Sequence, residues 1–337
     1  MALSVGVVLA RAAREREETQ RRERERTIGL LPGEAPAYAF RRMALAQVEL
    51  AIELLRESDG SAPSEKAVHE TRKALKRLRA LLRLFEDELG STTFARESSA
   101  LREIAARLAG ARDAEVMLGT LDSLIERHPG KLRRRKGVRK LRRALLRQRG
   151  QAARALDRDT VTRASAELRA LRARVQQWSL PELGELDLIE GGFARIYQQG
   201  RKRHRRAARS RGKDTEAMHD WRKRVKSLRY TAEMLERRMP GKLKPGARAK
   251  QLKALARRAD DLGEALGEDH DLAMLADWLR RSAKAKPKPR RSRSERRASK
   301  LVLQLIARRR RKLRKQTMRD GRRLYRRSAK QLVRRLS

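Results

Sequence analysis

From about residue 37 to residue 178, apolar side chains recur at every third or fourth position, and the alternation of a half-buried strand is absent. A chain patterned this way buries one face of each helix and has nothing to offer a sheet, so the sequence predicts an all-α fold. Turn signals at "ESDGSAPS" (57–64), "LGST" (89–92) and "RHPGK" (127–131) separate the helices. An Arg-rich helical stretch follows from about 132 to 177, with interruptions expected near Gly150 and Asp157–Thr162. "SLPELGELDLIEGG" (179–192) carries Pro181, Gly184 and the Gly191-Gly192 pair and is mildly acidic, which reads as a linker. Beyond it, helices are expected at about 193–209, 216–239, 248–266, from near 270, and at 299–335. "SRGKDT" (210–215), "MPGKLKPG" and "KAKPKPRRSRSERR" (284–297) stand between them. The predicted organisation is a charged arm over 1–36, a first helical-bundle repeat over 37–178, the linker over 179–192, and a second repeat over 193–337.

Charge narrows the class of partner. Lys and Arg number 88 against 42 Asp and Glu, a formal net charge of +46 in 337 residues. Repulsion on that scale opposes a compact fold unless a polyanion neutralises it. Aromatic residues are 3% of the chain, a thin supply for stacking nucleic-acid bases. There is no cysteine, which excludes disulfides and thiolate metal sites. "MALSVGVVLARAA" has an apolar run of only about seven residues and no basic segment before it, so it does not read as a secretory signal. No stretch approaches the ~20 apolar residues of a membrane span. The arm "RAAREREETQRRERER" (11–26) places Glu17–Arg21 and Glu18–Arg22 at helical spacing without any apolar stripe. A soluble cytoplasmic protein is expected.

The cations are not scattered. In "AVHETRKALKRLRALLRLF" (67–85), His69, Arg72, Lys73, Lys76 and Arg83 fall within roughly 100° of arc at about 100° per residue, with the leucines on another side. Aligning 68–86 with 218–236 at an offset of 150 gives identity at His69/His219, Arg72/Arg222, Lys73/Lys223, Lys76/Lys226, Leu78/Leu228, Arg79/Arg229 and Glu86/Glu236. Apolar positions vary more, as in Val68/Met218, Leu75/Val225 and Phe85/Leu235. Duplicated helices ordinarily keep their apolar pattern and let surface charge drift. Here the charged stripe is kept, which points to a ligand. A second pair, "LAGARDAEVML" (108–118) and "LGEDHDLAMLA" (266–276), sets Arg112-Asp113 against His270-Asp271. Both Asp residues read as structural, either opening a helix or holding a stripe cation in place.

His69 and His219 read either as phosphate donors or as residues that fix a helix end. His69-Glu70, His219-Asp220 and His270-Asp271 also admit a helical metal-dependent phosphohydrolase. Adjacent helix residues diverge by about 100°, however, and the surrounding Arg and Lys repel a metal. No metal-binding, phosphate-loop or nucleophile-elbow motif is present, and no cofactor, metal or catalytic residue is expected. The remaining alternative is weak nonspecific nucleic-acid binding, for which the charge alone suffices.

"VHETRKALKRLRALLRLF" and "MHDWRKRVKSLRY", with "FARIYQQGRKRHRRA" (193–207) before the second, resemble the CHAD family, the conserved histidine α-helical domain. The C-terminal "LIARRRRKLRKQTMRDGRRLYRRSAKQLVRRL" is similar to that family's last helix. The resemblance covers about 37–337. It implies two four-helix bundles related by pseudo-twofold symmetry, with basic faces lining a central groove or pore. It also implies binding of inorganic polyphosphate without catalysis, at polyphosphate granules. The triphosphate-tunnel domain that often accompanies the family has no room in the ~36 residues before the match. The implied site comprises His69, Arg72, Lys73, Lys76, Arg79, Arg83 and Arg112 with His219, Arg222, Lys223, Lys226, Arg229 and Tyr230, joined by Tyr197, Arg201 and Lys202. Thr71 and Ala80 stand where the second copy has Trp221 and Tyr230, which implies a less complete first half. The Arg clusters at 308–314 and 322–327 read as solvated or loosely polyanion-associated surface.

Overall fold

A computed structural model describes residues 28–31, 33–56, 63–236, 246–284 and 292–336. The charged arm over 11–26 and residues 57–62, 237–245 and 285–291 lie outside them. The described residues are all-α, with no strand among them. Four helices close a first ring, each packing on two others: α1 (Pro36–Arg56), α2 (Glu65–Leu84), α4 (Ser91–Arg107) and α8 (Arg158–Gln176). The short α3 (Glu86–Leu89) lies between α2 and α4. In the second half, α10 (Ala194–Arg209), α11 (Thr215–Leu235), the first part of α12 (Ala247–Lys284), the end of α13 (Arg293–Leu324) and α14 (Ala329–Leu336) pack together. Both groups share one apolar core, joined where α2 packs on α11.

The packed units do not follow the two halves of the chain. α5 (Ala109–Arg127) and α7 (Lys136–Arg154), with the short α6 (Pro129–Leu132) between them, leave the first ring. They close another ring with the later part of α12 and the start of α13 around a separate core. The apolar stripe of α7, Val138, Leu141 and Leu145, is covered there by residues of the second half. The 179–192 segment therefore divides the sequence and not the packing. It is also less of a loop than its Pro and Gly content suggests. α9 (Glu185–Leu188) and a π-turn over Ile189–Phe193 bury Leu188, Ile189 and Phe193. Gly192 is required there, since a Cβ would stand 1.8 Å from the Leu84 carbonyl oxygen.

Other boundaries also differ from expectation. The helices expected at 248–266 and from 270 are the single helix α12, because Gly267 continues the helix instead of ending it. The expected final helix breaks at Tyr325–Ser328 into α13 and α14. Gly150 lies inside α7, and the interruption falls at Ala155–Asp157. At the edge of the arm, Leu30 is buried and its N–H donates to the Met234 carbonyl at 3.0 Å. Arg42 fastens this segment through Glu34 at 2.6 Å and the Gly29 carbonyl at 2.8 Å. No helix among the described residues is long and apolar enough to cross a membrane.

Candidate polyanion-binding groove

The two stripe helices begin alike. Ser64 caps α2 by accepting from Ala67 N–H at 3.1 Å, and Asp214 caps α11 by accepting from Ala217 N–H at 3.0 Å. These caps start both helices at the same step before the cations, and α2 then packs on α11. The crossing brings Lys76 close enough to Lys226, Arg72, Arg222 and Arg112 for all four to disfavour its protonated form. Burial acts first, and together these effects push the Lys76 ammonium down to about 8. Its side chain is open to water, yet protein surrounds it on most sides, as on the floor of a groove. Lys226 is lowered by burial and then by Arg222 and Arg229.

The groove opens into a cavity of about 730 Å³ walled by α5, α11, α12 and α13. Arg112, Arg222 and Lys226 project into it, and Asp271 lies on its wall. Burial raises the Asp271 carboxyl despite Arg222, Lys226, Arg112 and Lys76. Asp113 is raised in the same way, opposed by Arg72 and Arg112. Neither Asp opens a helix: Asp113 sits one turn into α5 and Asp271 lies deep in α12. Both feel the charge of the stripe cations, but neither makes a hydrogen bond or ion pair with them among the described residues.

Arg72 and Arg222 are held differently. The Arg72 guanidinium donates to the carbonyls of Ala105 and Leu108 at 3.2 and 3.0 Å. Those carbonyls end α4, where backbone acceptors are free and the helix dipole favours a cation. α12 runs unbroken past the matching place. There Arg222 lies over Gly267, where a Cβ would come 3.4 Å from a guanidinium nitrogen. Its Nε is buried with no hydrogen-bond partner among the described residues. His219 stacks on His270 with ring centroids 4.4 Å apart. Burial lowers both, with Lys223 and Arg222 adding to it at His219, and Arg222 and His219 bringing His270 down to about 4. His69, exposed beside Glu70, is lowered by burial and Arg112. All three surroundings disfavour the imidazolium.

The remaining candidates divide. Lys73 and Lys223 each pair with the acid three residues before them, Glu70 and Asp220, at 3.2 Å. Arg79 and Arg83 belong to a second cationic cluster with Arg102 and Arg224. Burial and the Arg224 charge push Arg83 down to about 10. Arg229 is already neutralised by Glu233 at 2.8 Å and by Asp260. Burial opposes its charge, but these carboxylates hold its pKa above the usual value. Tyr230 is buried beneath it, with the guanidinium 5.5 Å from the ring centroid.

Tyr197 is not in the groove. It is buried, and its hydroxyl bonds the Leu324 and Arg327 carbonyls at 3.1 Å. Arg201 stands on that same side, near Tyr197, and Lys202 is exposed. Trp221 is fully buried against His204. The Thr71/Trp221 difference is therefore one of packing, not of site completeness. In the 308–314 run Arg308, Arg311 and Lys312 are exposed, as expected, but three of the arginines are tied to carboxylates. Arg309 forks onto Glu268 at 2.8 and 2.6 Å, and Arg310 and Arg314 reach the buried Asp269 at 2.9 and 3.2 Å.

Sequence reasoning passed over Arg102 and Arg224, because Arg224 aligns with Ala74 and Arg102 lies outside the repeat. It also missed Arg127, which joins Arg309 on Glu268 at the cavity wall. Only the fold reveals these, since none shares a helix face with the stripe.

The fold has solved relatives. The CHAD domain from the plant Ricinus communis superposes with a TM-score of 0.64 at 20% identity, covering 87% of this chain and 93% of that one. PptA from Streptomyces chartreusis gives 0.58 at 16% identity, covering 87% of this chain and 100% of that one. No curated protein matches the sequence significantly. The CHAD domain model matches residues 42–280, from the middle of α1 almost to the end of α12 and across both stripes, and the chain belongs to the CHAD family.

Proposed function

We propose that the chain is a non-catalytic binder of inorganic polyphosphate, gripping the polyanion between α2 and α11 and residing at cytoplasmic polyphosphate granules. Family membership supports a polyphosphate-related role. The observation that carries the reading is the convergence of Arg72, Lys76, Arg112, Arg222 and Lys226 from three helices on one recessed groove. The other four raise the cost of charging Lys76, Arg222 does so for Lys226 and Arg112 for Arg72, and a line of phosphates removes that cost. Arg offers a bidentate fork to phosphate, and Lys adds a mobile point charge.

A recessed groove favours a narrow, flexible polyanion over a wide duplex. Among the described residues no aromatic ring lines the cavity to give bases a platform. The absence of catalysis is supported by the pairing of His219 and His270 beside Arg222, whose charge opposes a metal. Among the described residues no three His, Asp or Glu converge in a metal-binding group.

Competition between long-chain polyphosphate and duplex DNA at fixed ionic strength tests the reading. Polyphosphate is expected to win at equal phosphate concentration and to release no phosphate on incubation with Mg²⁺ or Mn²⁺. Equal affinities with equal salt slopes would favour generic nucleic-acid binding. Metal-dependent phosphate release that disappears in His219→Ala would make it an enzyme.

A further inference from the structure

The groove does not end at the α2–α11 crossing. Its cavity shares Gln316 with a second open cavity of about 770 Å³ farther along α12 and α13. That one shares Arg326 and Arg327 with a third, of about 460 Å³, against α14. Along α13 the lining positions Arg309, Leu313, Gln316, Asp320 and Arg323 recur at three or four, so one helix face forms a continuous floor. Those fifteen residues span ~21 Å. α12 runs antiparallel beside it, giving Arg258 and Asp261 to the second cavity and Glu264, Glu268 and Asp271 to the first.

Charge changes steadily along this track. In the first cavity, five cations face Glu115, Glu264, Glu268 and Asp271. In the second, five Arg face only Asp261 and Asp320. In the third, Arg326, Arg327, Arg334 and Arg335 have no carboxylate beside them on the wall among the described residues. Among the described residues no aromatic side chain lines either outer cavity, and Tyr325 is buried in the core. A track that is increasingly cationic and has nothing to read a base suits a ligand made of phosphate alone.

We propose that this outer track is a second binding segment, taking the part of a long inorganic polyphosphate that extends beyond the α2–α11 groove. The proposal rests on the groove reading and adds to it that affinity grows with chain length because of Arg319, Arg323, Arg326, Arg327, Arg334 and Arg335. A short chain occupies the groove alone.

The test measures the affinity of the full chain for tripolyphosphate and for long-chain polyphosphate over a range of salt. The track variant combines Arg323→Gln, Arg326→Gln, Arg334→Gln and Arg335→Gln. A control removes the same charge from exposed positions on α7 and α8, with Arg143→Gln, Arg147→Gln, Arg163→Gln and Arg169→Gln. The track variant should bind the long chain roughly tenfold less tightly, with a salt slope shallower by about 3, at ~0.7 per lost phosphate contact. Its affinity for tripolyphosphate should match the parent, and the control should lose little of either. Long-chain loss no greater than in the control overturns the proposal, and so does an equal loss for tripolyphosphate. If the quadruple variant fails to fold by circular dichroism, Arg334→Glu with Arg335→Glu tests the same contrast at the outermost cavity. A groove variant, Arg222→Gln with Lys226→Gln, is expected to lose both ligands. Unchanged tripolyphosphate binding in that variant would sink the groove reading, while the track is still judged on its long-chain arm.

Discussion

α2 and α11 carry the same cations at the same register, yet the fold treats the two stripes differently. On α2, Arg72 is tied to the carbonyls that end α4, and Arg79 faces Arg102 and Arg224 with no carboxylate partner in hydrogen-bond contact among the described residues. On α11 the pattern is reversed: Arg222 has an unpartnered Nε over Gly267, and Arg229 is closed off by Glu233 and Asp260. The difference arises outside the stripes. The chain breaks at Leu108 between α4 and α5, whereas α12 continues through Gly267, so only the first stripe has free helix-end carbonyls nearby. A repeated cation is thus available to a ligand only where its surroundings leave it uncompensated.

The largest expected effect sets Arg222 and Lys226 against Arg72 and Lys76. Arg222→Gln with Lys226→Gln should weaken polyphosphate binding about 100-fold, from roughly 1.5 kcal/mol for each charge-assisted contact. Arg72→Gln with Lys76→Gln should cost less affinity, about tenfold, since Arg72 divides its donors between ligand and backbone. That variant should also lose about 1–2 kcal/mol of stability, because the α4 carbonyls lose their donor. Denaturant titration beside the binding measurement separates the two. Equal losses of affinity with no difference in stability would mean the stripes are equivalent after all.

A smaller effect comes from the next turn. Arg79→Gln should reduce affinity about fivefold and leave stability intact or raised, since it relieves repulsion with Arg102 and Arg224. Arg229→Gln should do the opposite. It breaks two partly exposed ion pairs, worth about 0.5–1 kcal/mol together, and leaves affinity nearly unchanged. Similar affinity losses in both variants would show that sequence register decides, and not local compensation.

Much of this molecule was legible in the sequence. The 3.6-residue periodicity fixed the helical class, and the offset-150 identities located Arg72, Lys76, Arg222 and Lys226, which the structure does bring together. What the sequence could not show was compensation. Arg229 aligns with Arg79, yet its partner Asp260 is thirty-one residues away on another helix. Tyr197 precedes a basic run, but its hydroxyl is used by the chain end at Leu324 and Arg327. The 308–314 run reads as surplus charge until Glu268 and Asp269 are found opposite it. Gly267 looks like a helix stop, and only the fold shows that α12 runs through it beside the Arg222 guanidinium. Periodicity identifies the face a residue occupies, whereas counter-charges come from distant segments.

The pH response of binding turns on Lys76 alone. Its ammonium titrates near 8 in the free protein, because burial and then Lys226, Arg72, Arg222 and Arg112 disfavour the charge, with Asp113 and Asp271 as the nearby acids. A bound polyanion reverses that balance and returns the group toward the ordinary lysine range, so binding above pH 8 takes up a proton. Affinity should therefore be steady below pH 7 and fall about tenfold between pH 7 and 9, one proton's worth of linkage. In the free protein His69, His219 and His270 are all lowered from the ordinary histidine value, away from this window. Stability of the free protein moves in the opposite direction. A lysine whose folded value lies below its unfolded one binds fewer protons folded than unfolded between about 8 and 10.5, so its contribution rises with pH across that range. Lys76→Arg keeps the charge at every pH in the window and should flatten the affinity profile while retaining binding at pH 7. Lys76→Gln should flatten it too, at a uniformly weaker level. If Lys76→Arg still loses tenfold between pH 7 and 9, the titrating group is Lys226 or lies elsewhere, and the α2 stripe does not set the pH response.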